Sequence, residues 1–242
     1  MLLSPDHEQI RDAVRAFVAA EVAPHAAAWD RDASFPRAAL QGLAALGLFG
    51  VFVPEHLGGA GLDYTALALA LEEVAAGDGA TSTILSVNNC PVCNILLNFG
   101  SAAQKEQWLK PLASGALLGA FALTEAHAGS DASALKTTAR RAGDHYVIDG
   151  AKQFITSGKN GDLAIVFAVT DKGAGKKGIS ASVRAKAPSS APLARGFSHC
   201  SLCAALPKLS RMLHTGQLLT ERMVEVAPSP AATSSSASAS AV

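Results

Sequence analysis

Phe121-Ala122-Leu123-Thr124-Glu125-Ala126-His127-Ala128-Gly129-Ser130-Asp131-Ala132-Ser133-Ala134 is the stretch on which the fold turns. An apolar, strand-like run stops at a Thr-Glu pair, and a short Gly-Ser-Asp turn follows. A loop of this kind leaves backbone N–H groups and small hydroxyls unshielded. Such groups hold a phosphate or the polar edge of a flat cofactor. Most Gly-Ser-Asp turns only reverse the chain, so the surrounding sequence has to decide.

Upstream, the pattern is helical. Ser4 can cap a first helix, with Pro5 at its first position and Glu8 in its first turn. Ile10, Val14, Phe17, Val18 and Val22 fall at helical spacing on one face, and Pro24 ends the pattern. Ser34-Phe35-Pro36 starts another helix carrying Leu40, Leu43 and Leu46, which Gly47 and Gly50 end. Val51 to Leu62 is a loop broken by Pro54, Gly58, Gly59 and Gly61. Asp63 caps a helix through Leu67, Leu71 and Val74, and a further helix spans about Thr81 to Phe99. Ser101, with Gln104 three residues on, forms a capping box for the next.

From about Leu118 the period changes. Ala120 to Leu123 predicts a short strand; Lys136 to Arg141 and His145 to Ile148 flank a turn at Ala142-Gly143-Asp144. Asp149-Gly150 predicts a two-residue hairpin. Gln153 to Thr156 and Leu163 to Thr170 predict more strands, and Asp171 to Lys177 a Gly/Lys loop. The expected fold class is α+β: an all-α helical domain over residues 1–118, followed by a partial antiparallel β domain over 119–181.

The bulk properties agree with a globular chain. Its 242 residues can bury a real core, and a formal charge of zero gives no global field for nucleic acid or an anionic membrane. Hydrophobic content is 49% with only 5% aromatic, much of it alanine, which favours helix. Met1 to Glu8 has no basic region followed by an apolar one. The longest apolar stretch, Leu40 to Val53, is interrupted by Gln41 and glycines and falls short of the roughly 20 residues that span a bilayer. A soluble cytoplasmic protein is expected. Two Cys-x-x-Cys pairs occur, Cys90/Cys93 and Cys200/Cys203. Their separation far exceeds the roughly 15–20 residues of a zinc ribbon, and the first pair sits in an apolar helical run, so no metal site is expected.

Three strings in order carry a resemblance: the one quoted first; Val53-Pro54-Glu55-His56-Leu57-Gly58-Gly59-Ala60-Gly61-Leu62-Asp63 before it; and Gly150-Ala151-Lys152-Gln153-Phe154-Ile155-Thr156-Ser157-Gly158 after it. From about residue 4 to Ala181 the chain closely resembles the acyl-CoA dehydrogenase family. Ser86-Val87-Asn88-Asn89 and Phe121-Ala122-Leu123 look most like its short-chain branch. The resemblance implies α,β-dehydrogenation of an acyl-CoA thioester. In that reaction a carboxylate removes the α proton and the N5 of FAD takes the β hydride. It further implies an acyl-CoA substrate, an electron-transfer flavoprotein as partner, a homotetramer, and a C-terminal helical bundle after the β domain.

Carried over position by position, the resemblance assigns Phe121, Leu123 and Thr124 to line the flavin from the first strand. It assigns Gly129 and Ser130 to the pyrophosphate, with Ser130 also facing the CoA thioester arm. Phe154, where many family members have Trp, would stack on the flavin face, and Thr156 would hydrogen-bond near the reactive edge. Phe keeps the π face and loses the indole N–H. On the residues alone, Phe121 and Leu123 could be strand core, Thr124 and Thr156 ordinary strand threonines, and Ser130-Asp131 a simple cap. Glu125 belongs to the flavin loop in the resemblance and is not assigned as the base; His127 is expected to be exposed. Ser130 and Thr156 are expected on adjacent strands facing one concave surface.

After Ala181 the character changes. Ser182 to Lys186 shows no strand alternation, basic residues outnumber acidic ones, and Pro228 to Val242 is a Ser/Ala/Pro tract expected to be disordered. Only Leu202 to Met223 is expected to form a helix. Residues 182–242 are expected to be a divergent tail, such as out-of-frame translation would give. The family's glutamate base and bundle would then lie outside this chain, which would be inactive alone and would lack the tetramer-forming helices. Two other readings compete: a non-catalytic flavin-binding or misfolding-prone remnant, and an acyl-CoA oxidase or flavin monooxygenase of the same superfamily.

Overall fold

The computed structural model describes residues 3–142, 145–185, 200–202 and 224–225. The helical half begins at α1 (Pro5–Glu21). Ser4 accepts from the His7 backbone while the His7 ring accepts from the Ser4 N–H, a capping box that satisfies two end groups. Val14, Val18 and Val22 lie one helical turn apart and are buried against Ala66, Leu67, Ala70 and Val74 of α4 (Tyr64–Gly77). Leu40 and Leu43 of α3 (Arg37–Ala45) complete this cluster. Each such buried aliphatic side chain is worth about 1.5–3 kcal/mol. Asp63 caps α4 by accepting from Ala66 N–H at 2.8 Å. Between α1 and α3 the chain forms α2 (Ala26–Asp32), which the sequence pattern did not predict: it buries no residue fully, so it carries no apolar stripe.

The predicted helix near Thr81 to Phe99 is α5 (Gly79–Val87) and α6 (Asn94–Phe99), joined by a π-helical stretch, Asn88–Cys93. Pro91 sits inside that stretch and removes a backbone donor, which the wider turn accommodates. After Ser101, whose capping box with Gln104 forms as read, α7 (Ala102–Gln104) passes through Lys105–Leu109 into α8 (Lys110–Ala113). Val92, Leu96, Leu109 and Leu112 face the sheet and pack with Leu163, Ile165 and Val183.

Among the described residues seven strands follow: β1 (Gly119–Ala122), β2 (Thr138–Ala142), β3 (His145–Lys152), β4 (Leu163–Val169), β5 (Ile179–Ala185), β6 (Cys200–Leu202) and β7 (Val224–Glu225). The hydrogen-bonded order is β6-β3-β2-β4-β5-β7, with β1 also on β4. β2/β3 and β4/β5 are antiparallel, but β1 runs parallel to β4, Gly119 opposite Leu163 and Phe121 opposite Ile165. The sheet is therefore mixed. β4 is buried on both faces, which is why it reads as a continuous apolar run. Leu163 and Ile165 face the helices, while Val166 and Ala168 face a second layer with Ala122, Ala139 and Ile148.

Three expectations are corrected. β5 does not stop at Ala181: Ser182, Val183 and Arg184 continue pairing with β4, and Val183 is buried in the helix–sheet core. Asp149-Gly150 is no hairpin; β3 runs straight through it, and β2 and β3 pair up to Ala142 opposite His145. Gly150 serves close approach instead. Its φ is +154°, and a Cβ there would overlap Thr137. Gly150→Ala should therefore lower stability by about 1–3 kcal/mol, read as a lower urea midpoint with unchanged slope. Finally, Gln153 to Thr156 is not a strand but a loop. The expected tail helix, apart from Leu202 in β6, and the Pro228–Val242 tract lie outside the described residues.

Candidate functional site

The site grows from the C-terminal end of β1. Beyond Ala122 the chain passes Leu123 and Thr124 and turns at Glu125, whose N–H and C=O bond to Ala128 across a tight turn (2.9 and 3.2 Å). Glu125 is 7% exposed. Its carboxylate accepts from Lys136 N–H at 2.7 Å, from Thr137 N–H at 3.1 Å and from Lys152 Nζ at 2.7 Å. Lys152, the last residue of β3, is 1% exposed and also donates to Leu123 O at 2.8 Å. Next to it, Gln153 N–H donates to Thr124 O at 2.8 Å. Burial pushes the Glu125 carboxyl up. Its hydrogen bonds from Lys152 and the 136–137 segment outweigh that and hold it below the ordinary carboxylate range.

The loop from Ala126 to Ala134 projects from this anchor. Gly129 and Ser130 are exposed, and a Cβ built on Gly129 meets nothing within 4 Å. Their polar groups therefore open to solvent on the outer side of the loop. Asp131 is spent locally: it caps the short helical turn Ala132–Ala134 and accepts from both the backbone N–H and the hydroxyl of Ser133. That hydroxyl and N–H hold its carboxyl low.

After Gln153 the chain crosses back along β1. Phe154 is 73% exposed and adopts φ +55°; Ser157 follows at φ +60°. Two non-glycine residues in the left-handed region are uncommon, and for a ring as large as Phe the conformation is strained. The segment closes with Gly161 N–H on Ser157 O and with Asp162, whose N–H donates to Leu118 O at 2.7 Å while its carboxylate accepts from Leu118 N–H at 2.9 Å. It therefore runs from the end of β1 to its start.

Leu123, Thr124 and Phe154 are thus gathered at one end of β1. Gly129 and Ser130 lie on the loop rooted there, and the half-buried Thr156 lies in the crossing segment. Phe121 points to the helical side and meets Phe167 edge-on, centroids 5.3 Å apart. The expectation that Ser130 and Thr156 stand on adjacent strands is not met: both are in loops, because Asp131 caps a helical turn and the left-handed Phe154 ends extended pairing. Lys152 was missed, yet a signal existed. From Ile148 the period of two passes through Gly150 to Lys152 and puts the lysine on the buried face, where it needs an acid. Cys93 is fully buried with its Sγ 3.8 Å from Phe49 O, and burial raises its thiol well above the usual range; it packs as a small hydrophobe.

Comparison with known proteins places this arrangement. The acyl-CoA dehydrogenase N-terminal domain profile matches residues 4–116, and the acyl-CoA dehydrogenase middle domain profile matches 120–201. The chain belongs to the acyl-CoA dehydrogenase family. The middle-domain match passes Ala181 and takes in all of β5. Over 179 residues the chain is 45% identical to the mouse mitochondrial short-chain specific acyl-CoA dehydrogenase, covering 74% of this chain and 43% of that protein. The butyryl-CoA dehydrogenase of Megasphaera elsdenii superposes with a TM-score of 0.73 at 35% identity, over 76% of this chain and 49% of that one. A glutaryl-CoA dehydrogenase from Mycobacterium smegmatis in complex with FADH2 gives a TM-score of 0.70 at 32% identity, covering 76% and 46%. The chain spans under half the length of these relatives. Among the described residues, no helix is long and apolar enough to cross a membrane.

Proposed function

We propose that this chain supplies the flavin-holding part of an FAD-dependent acyl-CoA dehydrogenase acting on short acyl-CoA thioesters. The observation that carries the reading is Phe154: a large ring, 73% exposed, held at φ +55° beside the Gln153–Thr124 hydrogen bond. An exposed strained aromatic is costly unless a flat ligand covers it. The residues present fit an FAD. Phe154 offers a π face, and Leu123 and Thr124 an adjoining apolar and polar edge. Gly129 and Ser130 offer exposed N–H groups and a hydroxyl to the pyrophosphate, and Thr156 a hydroxyl on the crossing segment. In this reading Ser130 also contacts the acyl-CoA.

FAD, when bound, supplies the two-electron acceptor that these side chains lack. The protein's task is to hold the thioester beside the ring and to exclude water. The two carboxylates nearest the loop are committed, Glu125 to Lys152 and the 136–137 amides, Asp131 to Ser133. Neither is left to take an α proton, so in this reading another residue is the base. Re-oxidation by an electron-transfer flavoprotein belongs to the same proposal.

The test is FAD titration of the 242-residue chain, followed by flavin fluorescence and absorbance, then anaerobic butyryl-CoA. FAD should bind, and Phe154→Ala should weaken it about tenfold through the lost stacking area. Bleaching by butyryl-CoA should be slow, since neither Glu125 nor Asp131 is left to act as a base and general-base catalysis contributes about 10²–10⁴ in rate. A folded chain that ignores FAD, or one whose affinity is indifferent to Phe154, overturns the site.

A further inference from the structure

We infer that the buried Glu125–Lys152 pair is a positioning clamp that sets the cofactor-facing loop and the Phe154 segment in one register before any ligand arrives. This rests on the flavin reading above. The loop leaves the core at Glu125 and returns at Lys136. A single carboxylate holds both ends, because Glu125 itself starts the loop while its side chain accepts from Lys136 and Thr137 N–H. Lys152 ties that carboxylate to the other wall. Its ammonium bridges Glu125 Oε1 and Leu123 O, and the next residue, Gln153, bonds Thr124 O before Phe154 begins. One buried ion pair therefore fixes the relative position of Leu123, Thr124, the root of the Gly129-Ser130 loop and Phe154.

Its burial gives it authority over that geometry. At 7% and 1% exposure neither group can exchange its partner for water, and a low-dielectric site penalises any displacement. A ligand meeting a loop already in place avoids most of the ordering cost that a loose loop would charge against affinity. The pair holds backbone groups at Leu123, Lys136 and Thr137, so its role is to place the residues offered to the ligand.

The experiment compares the full chain with Glu125→Gln and with the double variant Glu125→Leu/Lys152→Met. The double variant removes both charges at similar volume and so avoids stranding one. Three readouts are taken: amide hydrogen exchange at Lys136 and Thr137, FAD affinity, and the circular dichroism that the site induces in bound flavin. Both variants should lose protection at Lys136 and Thr137 while α1 and α4 stay protected. FAD affinity should fall about tenfold or more, with a weakened induced signal. A variant that keeps wild-type affinity within about twofold and the wild-type flavin signal, whatever its melting temperature, shows a purely structural pair and overturns the clamp. Should the double variant not fold, Glu125→Gln alone decides. Should the wild-type chain bind no FAD, the flavin reading fails by itself. The clamp is then judged by exchange: protection lost in Glu125→Gln supports it, and equal protection in both overturns it.

Discussion

Lys152→Met is expected to destabilise the protein by about 3–5 kcal/mol, seen as a large drop in the denaturant midpoint. The cost is not the lost attraction alone. Glu125 would stay behind, 7% exposed, with its lysine gone. Leu123 O would lose a donor as well. A marginally stable domain has only about 5–15 kcal/mol in total, so much of the population would unfold. Acid provides an independent readout. The folded Glu125 titrates below its unfolded value, so its contribution is complete above the unfolded pKa of roughly 4.3 and is lost as pH falls through the lower folded value. Between those two values the wild type should lose stability with a slope that Glu125→Gln lacks. Equal acid slopes in the two proteins would mean that Glu125 is not held ionised by Lys152.

Asn88→Leu should come close to it. Asn88 and Asn89 are fully buried in the π-helical stretch. Asn88 donates to Phe49 O at 2.9 Å and Leu112 O at 3.3 Å, and accepts from Gly119 N–H at 3.0 Å. It thus joins the loop after α3, the last helix and the first strand. A leucine of similar size fills the space but removes the acceptor of Gly119 N–H and the amide donor of Phe49 O, which keeps only the weak Cys93 thiol, while Leu112 O keeps Gly115 N–H. Each buried group left unpaired costs about 1–3 kcal/mol. The loss should appear as a lowered melting temperature together with faster exchange at the Gly119 amide. Asn89, which holds Leu48 O, Leu85 O and Val51 N–H, gives a matched comparison at the adjacent position.

The sequence reads well where a local rule decides the outcome. Ser4, Asp63 and the Ser101/Gln104 pair cap helices as their chemistry predicts, because each bond spans three residues or fewer. The valines of α1 lie where a 3.6 period puts them. The reading breaks down where distant backbone decides. Nothing in Asp149-Gly150 announces that Thr137 will press against it and require a glycine for clearance rather than for a turn. That misreading also hid Lys152, since a hairpin there would have reversed the strand before the lysine. The parallel β1–β4 pairing joins segments more than forty residues apart, and short strands carry no mark of their direction. For the candidate site, the strings around Glu125 and Phe154 meet at one end of β1, through the Gln153–Thr124 hydrogen bond. The left-handed backbone of Phe154 could not be read, because a phenylalanine in a strand pattern looks like core.

The helix–sheet seam has a consequence for how the protein is made. Leu96, Leu109 and Leu112 share one buried cluster with Val53, Leu57 and Val92 of the helical half, and Leu163, Ile165 and Val183 of the sheet cover it. On the ribosome the helical half is complete at Ala113, while the covering strands are not finished until some seventy codons later. At the usual pace of about 5–20 residues per second that gap is roughly 4–14 s. Throughout it, the sheet-facing side of this cluster lacks the strand residues that cover it. Slowing translation between codons 113 and 183 should therefore lower the soluble yield, and a chaperone that shields that flank should restore it.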